Sequence, residues 1–189
     1  MKNIAIFASG SGTNAQAIFD YFSATGTARI ALILSNNPNA YVLERSKGMK
    51  VPSIVFSRDE FYNSSSIIDV LKLHSIDYVV LAGFLWLVPS NLTQMFANRM
   101  INIHPALLPK YGGKGMYGMK VHEAVVANQE TESGITIHFV NDVYDSGDII
   151  FQASCPVLPT DTAEMVAQKV HELEYKHFPR EIEKVMMNR

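Results

Sequence analysis

The sequence predicts an α/β fold with a mostly parallel sheet and an antiparallel hairpin towards the C-terminal end. Short apolar runs at residues 4–8, 30–34 and 78–82 alternate with segments whose apolar residues recur at helical spacing. Continuous apolar runs are typical of strands that a parallel sheet buries on both faces. From Gly134 the period changes to two, and a second run at 149–153 follows a turn, which predicts the hairpin.

The remaining elements follow from apolar spacing, caps and breakers. Gly26 is predicted to end the first helix. Asp161 with Glu164 resembles a capping box, and Pro179 is predicted to break the long helix that follows. Four further helices are predicted, at 41–49, 67–74, 92–96 and 121–127, and a short last helix extends to Met187. Two further strands are predicted, one at 51–56 and one that ends at His104. The glycine-rich segment at 110–120 is predicted to be a mobile loop, and a lid is one use for such a loop.

Composition indicates an ordinary globular chain. It has 189 residues, of which 48% are hydrophobic and 18% charged, and a formal net charge of −2. This length suits one domain, and the absence of a basic block argues against a nucleic-acid surface. Cys155 is the only cysteine, so an internal disulfide and a cysteine-rich metal site are excluded. The N-terminal apolar run is too short for a membrane span and has no cleavage pattern, so we expect a cytoplasmic protein.

A glycine-rich turn joins the first strand to the first helix. Residues 9–14 read Ser-Gly-Ser-Gly-Thr-Asn, and the backbone N–H groups at such a helix N-terminus suit a phosphate. A dinucleotide site needs an acidic residue about 20 positions further on, but the second strand ends in Ser-Asn-Asn-Pro. The lysine of a nucleotide-triphosphate loop is also missing. A phosphomonoester is therefore the best remaining ligand, and a tight turn without a ligand is the alternative.

Chemistry is predicted at the strand end that carries Asn102 and His104. Pro105 cannot donate to a sheet, and the i, i+2 spacing places both side chains on one face. An amide and an imidazole suit a reaction in which a carbonyl becomes an oxyanion and a proton moves. Asp145, in the hairpin connection, could reach this histidine and raise its pKa. The alternative is a histidine that only hydrogen-bonds a loop.

Two other segments follow strand ends. Arg58 could grip a substrate carboxylate as a bidentate fork, or could be a solvated surface arginine. The apolar segment at 83–89 could lie against a flat aromatic ligand, or could pack beneath the sheet.

Five motifs occur together in this chain. They are residues 9–14, Leu-Ala-Gly-Phe at 81–84, Ile-Asn-Ile-His-Pro-x-Leu-Leu-Pro-Lys-Tyr at 101–111, Gly-x-x-x-His-Phe-Val at 134–140, and Asp-x-Gly at 145–147. With them the chain resembles the phosphoribosylglycinamide formyltransferase family of purine biosynthesis over essentially its whole length. The third motif is shared by all formyl-folate hydrolases and transferases. The extra C-terminal domain of methionyl-tRNA formyltransferases and the N-terminal regulatory domain of deformylases are not expected here.

The resemblance implies a doubly wound sheet with helices on both faces, in a single domain at 1–189. Its N-terminal half would bind the nucleotide phosphate, and its C-terminal half would bind folate and carry the catalysis. Small-molecule substrates are implied, with no nucleic acid, membrane or metal, in a monomer or homodimer. Departures from the family are Ala106 in place of the usual serine and Trp86 in place of the usual arginine.

Roles of individual residues are also implied by the resemblance. Asn102 and His104 would stabilise the oxyanion, with Asp145 raising the pKa of His104. The contacts to glycinamide ribonucleotide would be Gly12, Thr13 and Asn14 at the phosphate and Glu174 at the ribose hydroxyls. The contacts to the co-substrate, 10-formyltetrahydrofolate, would be Arg58, Leu85, Trp86, Leu87, Val88 and Asn102. A formyl-folate hydrolase and a non-enzymatic nucleotide-phosphate binding module are the alternative functions.

Overall fold

The computed structural model describes residues 1–188, which divide into two compact units, Met1–Ile101 and Asn102 to the C-terminal end. The strands are β1 (Lys2–Phe7), β2 (Ala28–Ser35), β3 (Ser53–Val55), β4 (Tyr78–Leu81), β5 (Met100–His104), β6 (Glu132–Phe139) and β7 (Ile149–Pro156). The helices are α1 (Thr13–Thr25), α2 (Val42–Met49), α3 (Arg58–Tyr62), α4 (Ser66–Leu73), α5 (Ser90–Met95), α6 (Met119–Ala127) and α7 (Ala163–Met187). No helix among these residues is both long and apolar enough to cross a membrane.

The first unit contains a parallel sheet built from the predicted apolar runs. Its strands follow the order β3-β2-β1-β4, with the first residues of β5 next, and the pairings of β1 and β2 are parallel. Ile4, Ile6 and Leu32 have no solvent-exposed surface. Burying an aliphatic side chain of this size stabilises a fold by about 1.5–3 kcal/mol. These strands therefore form the centre of the first core, with α1 and α2 packed against β2.

The second unit contains the predicted hairpin. The strand order is β5-β6-β7, and β6 pairs with β7 in antiparallel fashion. Ile135 and Ile137 are fully buried, and so are Thr136 and His138, which point to the opposite face. α7 packs against β6, β7 and α6. The predicted α/β fold with a C-terminal antiparallel hairpin is confirmed.

A short helix, α3, was missed in the sequence, and β3 is shorter than the predicted run at 51–56. Ser57 caps this helix, because its Oγ accepts from the N–H of Glu60 at 3.2 Å. The Glu60 carboxylate accepts in return from the N–H of Ser57 at 2.7 Å. This reciprocal pair is a capping box, so the spacing of Ser57 and Glu60 carried the signal for α3.

The start of α7 differs from the prediction by one residue. Thr162 is the N-cap, and its Oγ1 accepts from the N–H of Met165 at 3.3 Å. Asp161 is instead buried, accepts from the N–H of Leu158 at 2.8 Å, and pairs with Lys169. The predicted capping box on Asp161 is therefore wrong, because that carboxylate is engaged in its own turn and ion pair.

The predicted helix break at Pro179 is also wrong, since α7 continues through it to Met187. Proline removes one intrahelical hydrogen bond and costs about 3 kcal/mol in a helix interior. Phe178, Ile182 and Val185 are buried on either side of it. Their burial offsets this cost and stabilises the continuous helix.

Candidate active site

The three predicted catalytic side chains lie together in the second unit. The Asn102 amide nitrogen donates to Asp145 Oδ1 at 3.4 Å, and His104 Nδ1 lies 3.4 Å from Asp145 Oδ2. Asn102 and His104 project from β5, and Asp145 comes from the connection between β6 and β7. The structure thus places an amide, an imidazole and a carboxylate within contact distance of one another.

His138, on β6, is a fourth member of this cluster that the sequence analysis did not select as a site residue. Its Nδ1 lies 2.8 Å from the Phe139 carbonyl oxygen, which can only accept, so Nδ1 carries the hydrogen. In the neutral ring Nε2 is then an acceptor, and the Asn102 amide nitrogen donates to it at 3.0 Å. His138 therefore orients the Asn102 amide. The sequence signal for His138 was its two-residue spacing from Thr136 in β6, which places both side chains on the same face of the strand.

The His104 ring is held from both sides and has only 4% of its surface exposed. Its Nε2 donates to the Tyr111 carbonyl oxygen at 2.7 Å, and its Nδ1 faces Asp145. Burial lowers the pKa of His104, although Asp145 and the Tyr111 carbonyl both act to raise it. Asp145 therefore raises the pKa of His104, as predicted, but the cost of burying the imidazolium is larger, so the pKa of His104 lies below its usual value.

The Asp145 carboxylate is largely buried and accepts from the Gly113 N–H at 2.9 Å through Oδ2. Burial alone would raise its pKa, but His138, His104 and this N–H together hold the pKa of Asp145 below its usual value. A Cβ on the neighbouring Gly112 would lie 2.5 Å from Leu108 Cδ2 and 3.4 Å from Asp145 Cβ, so the loop passes close to both side chains. Asp145 is thus an anion packed closely against the glycine-rich loop.

Thr136 fixes the Pro-x-Leu-Leu segment that follows His104. Its hydroxyl donates to the Ala106 carbonyl at 2.7 Å and accepts from the Leu108 N–H at 2.9 Å. Gln152 on β7 donates to the same hydroxyl at 2.8 Å. The hairpin therefore holds the chain immediately after β5, which sets the position of His104.

In the first unit, the glycine-rich turn has the conformation expected of an anion-binding loop. Gly12 is the N-cap of α1 with φ of 71°, and no side chain caps the N-terminus of that helix. A Cβ at Gly12 would lie 2.5 Å from Val42 Cγ2. Val42 donates its N–H to the Gly10 carbonyl at 3.1 Å, and Arg45 Nε donates to the Ser11 carbonyl at 2.8 Å. These contacts anchor the loop to α2.

The predicted ribose contact, Glu174, lies on α7 in the second unit. It is 4% exposed and accepts from His171 Nδ1 at 2.9 Å. This hydrogen bond raises the pKa of His171. Glu174 is therefore a buried carboxylate held in place one helical turn from its donor.

Apart from Asn102, the predicted folate contacts lie in the first unit. Arg58 is the first residue of α3 and is exposed, and Leu85 is 45% exposed. Val88 is buried, and the Leu87 carbonyl accepts from the Tyr62 hydroxyl at 2.8 Å. The side chain of Trp86 packs on a cluster of aromatic rings in this unit, namely Phe56, Phe61, Tyr62 and Phe84.

No group of three or more His, Cys, Asp or Glu side chains that could hold a metal ion occurs within residues 1–188.

A family model described as formyl transferase matches residues 2–182. This chain belongs to the formyl transferase family. The match includes every residue that the sequence analysis predicts to bind substrate or to act in catalysis. Within this family, the phosphoribosylglycinamide formyltransferase of Haemophilus influenzae is 40% identical over 184 residues, which cover 95% of this chain and 84% of the relative.

Two further relatives support membership of this formyl transferase family. The chloroplastic phosphoribosylglycinamide formyltransferase of Arabidopsis thaliana is 39% identical over 181 residues. The aligned residues cover 93% of this chain, but only 62% of that relative, which is less than two thirds of its length. The crystal structure of the phosphoribosylglycinamide formyltransferase from Anaplasma phagocytophilum aligns with a TM-score of 0.90 at 30% identity, covering 99% of this chain and 88% of that one. This alignment confirms the predicted doubly wound formyltransferase fold.

Proposed function

We propose that this formyltransferase moves the formyl group of 10-formyltetrahydrofolate to the amine of glycinamide ribonucleotide in purine biosynthesis. The observation that carries the proposal is the cluster of Asn102, His104 and Asp145 in a chain whose relatives bear the name of that enzyme. An amide donor, an imidazole and a carboxylate suit acyl transfer to an amine without a covalent enzyme intermediate.

In the proposed reaction the substrate amine attacks the formyl carbon, and negative charge develops on the formyl oxygen. Asn102 donates one N–H to His138 at 3.0 Å and the other to Asp145 at 3.4 Å. The longer contact is the weaker one, so its N–H is the one that a substrate oxygen can take over. An oxyanion donor of this type contributes about 3 kcal/mol of transition-state stabilisation.

His104 and Asp145 handle the proton in this proposal. The new C–N bond forms as the amine loses a proton, and the folate nitrogen gains one as its bond to the formyl carbon breaks. The Asp145 anion stabilises His104 whenever the ring is protonated, whereas burial favours the neutral ring. Because these two effects oppose each other, the ring can both accept and return a proton.

The remaining residues would bind the two substrates. We assign the nucleotide phosphate to Gly12, Thr13 and Asn14, because the N-terminus of α1 lacks a side-chain cap. Glu174 would hold the ribose hydroxyls. The folate contacts would be Arg58, Leu85, Trp86, Leu87, Val88 and Asn102, so most of them lie in the first unit rather than in the C-terminal half.

The single domain, the cytoplasmic location, the absence of a metal, nucleic-acid or membrane partner, and the choice between monomer and homodimer stay predictions.

The direct test is to incubate the purified protein with both substrates and to follow tetrahydrofolate formation. We expect tetrahydrofolate to form only when the nucleotide is present, with formylated nucleotide in equal amount. Formate release without nucleotide would instead identify a hydrolase. Nucleotide binding without turnover of the formyl donor would identify a binding module, and His104→Ala serves as the inactive control.

A further inference from the structure

The carbonyl of Tyr111 is one of the two groups that hold the His104 ring. It accepts from His104 Nε2 at 2.7 Å, and Asp145 lies beside the other ring nitrogen. Tyr111 has a φ of 55°, a backbone conformation that residues other than glycine seldom adopt. The direction of this carbonyl therefore depends on what keeps Tyr111 in that conformation.

The Tyr111 side chain is held by the connection between α6 and β6. Its hydroxyl donates to Glu130 Oε1 at 2.9 Å and accepts from the Asn128 amide nitrogen at 3.0 Å. Lys110 Nζ donates to both carboxylate oxygens of Glu130, at 3.0 and 3.1 Å. Hydrogen bonds from Lys110 and Tyr111 lower the pKa of Glu130 below its usual value, so this side chain is an anion at neutral pH. Glu130 thus anchors two successive residues of the loop.

The same loop segment also contacts Asp145. The Gly113 N–H, two residues after Tyr111, donates to Asp145 Oδ2 at 2.9 Å. The segment therefore contacts both His104 and Asp145, and Glu130 holds the end of it that contacts His104.

We propose that Glu130 is a positioning residue for His104: by holding the Tyr111 hydroxyl, it keeps the Tyr111 carbonyl in place as the acceptor of His104 Nε2–H. A carbonyl oxygen can only accept, so Nε2 keeps its hydrogen in both charge states of the ring. The proton that the ring gains or loses is therefore the one on Nδ1, which faces Asp145. This consequence for catalysis rests on the proposed function, whereas the positioning itself does not.

The expected effect is that of one hydrogen bond, which changes an equilibrium constant by about two- to tenfold. Glu130→Ala and Tyr111→Phe should therefore each speed the exchange of His104 Nε2–H with solvent by about two- to tenfold. The variant with both changes should resemble the faster single one. Glu130→Gln keeps an oxygen that can accept from the Tyr111 hydroxyl, so its exchange should stay close to that of the unmodified protein.

The exchange is measured by NMR at neutral pH, on protein with isotope-labelled histidine and without substrates. The His104 signal is the one that His104→Ala lacks. The internal control is His138 Nδ1–H, which donates to the Phe139 carbonyl at 2.8 Å in the same site. Its acceptor is not part of the loop, so its exchange should be the same in every variant.

Tyr117→Phe is the matched control for the loss of a hydroxyl. Tyr117 lies in the same glycine-rich loop, and its hydroxyl accepts from Lys120 Nζ at 3.4 Å. This variant also removes a tyrosine hydroxyl beside a lysine, but it should leave the exchange of His104 Nε2–H unchanged.

Turnover of the two proposed substrates is the second measurement. Glu130→Ala and Tyr111→Phe should lower kcat by about two- to tenfold and leave both Michaelis constants nearly unchanged, because only the position of the His104 ring changes. An unchanged kcat alongside faster exchange would overturn the consequence for catalysis. If the unmodified chain does not turn over these substrates, the proposed function fails, and the NMR comparison still decides the positioning.

Three outcomes of the NMR comparison would overturn the inference. Equal acceleration at His104 and His138 would mean that the variants loosen the whole site. Effects that multiply in the double variant would mean that Glu130 does not act through the Tyr111 hydroxyl. Unchanged exchange at His104 in both single variants would mean that the backbone alone holds the Tyr111 carbonyl.

Discussion

Replacing His122 should change the pH dependence of stability. His122, on α6, is 2% exposed, and its Nδ1 has no hydrogen-bond partner among the described residues. Its ring centre lies 6.4 Å from that of His171. Burial and the charges of His171 and His104 lower the pKa of His122 from 6.5 to about 4, and Glu174 opposes them only in part.

The sign and size of the effect follow from this depressed pKa. Between pH 6.5 and about 4 the unfolded chain binds a proton at His122 and the folded chain does not, so stability falls as the pH falls. A shift of this size corresponds to about 3 kcal/mol once the pH is below both values. A neutral glutamine of similar length has no proton to bind, so His122→Gln should not show this loss.

The assay is urea denaturation of the unmodified protein and of His122→Gln at several pH values from 7 to 4. Other groups also change their protonation as the pH falls, so the informative quantity is the difference between the two free energies of unfolding. We expect that difference to move in favour of the variant by about 2–3 kcal/mol as the pH falls to 4. A difference that stays constant with pH would refute the account of His122 as a buried neutral ring.

Two further changes test the loop at residues 9–14, which we propose binds the nucleotide phosphate. Gly12→Ala should lower the free energy of unfolding by about 2–4 kcal/mol, because its Cβ would lie 2.5 Å from Val42 and the φ of Gly12 is 71°. Urea denaturation measures this loss. Gly10→Ala is the control: its Cβ would meet nothing within 4 Å, so the free energy of unfolding should change little. Thr13→Asp should raise the Michaelis constant for the nucleotide about tenfold or more by repelling the phosphate while that for the folate stays nearly unchanged. Equal loss of both would indicate a folding defect instead.

Much of the fold could be predicted because its signals are local. The buried strands are continuous apolar runs, and Gly26 ends α1 in the left-handed conformation that glycine favours. The errors arose where a distant contact decides the outcome. Pro179 stays inside α7 because the residues after it are buried, and Asp161 does not cap α7 because it pairs with Lys169.

The sequence predicted which residues lie close together in the candidate site better than it predicted the pKa of His104. Asn102 and His104 share a strand face by spacing alone, and the structure places Asp145 beside them. The contact with His138 depends on β5 and β6 being neighbours, which spacing does not reveal. The pKa of His104 depends on how deeply the ring is buried, and burial outweighs the nearby carboxylate.

We expect His104 and Asp145 to act as one unit in the proposed formyl transfer. The most direct measurement is the single-turnover rate of His104→Ala, Asp145→Asn and the double variant, with both substrates saturating. Each single change should slow the reaction by about 10²–10⁴-fold, and the double variant should be scarcely slower than the worse single one. Losses that multiply in the double variant would contradict the account, because they would mean that the two residues contribute independently.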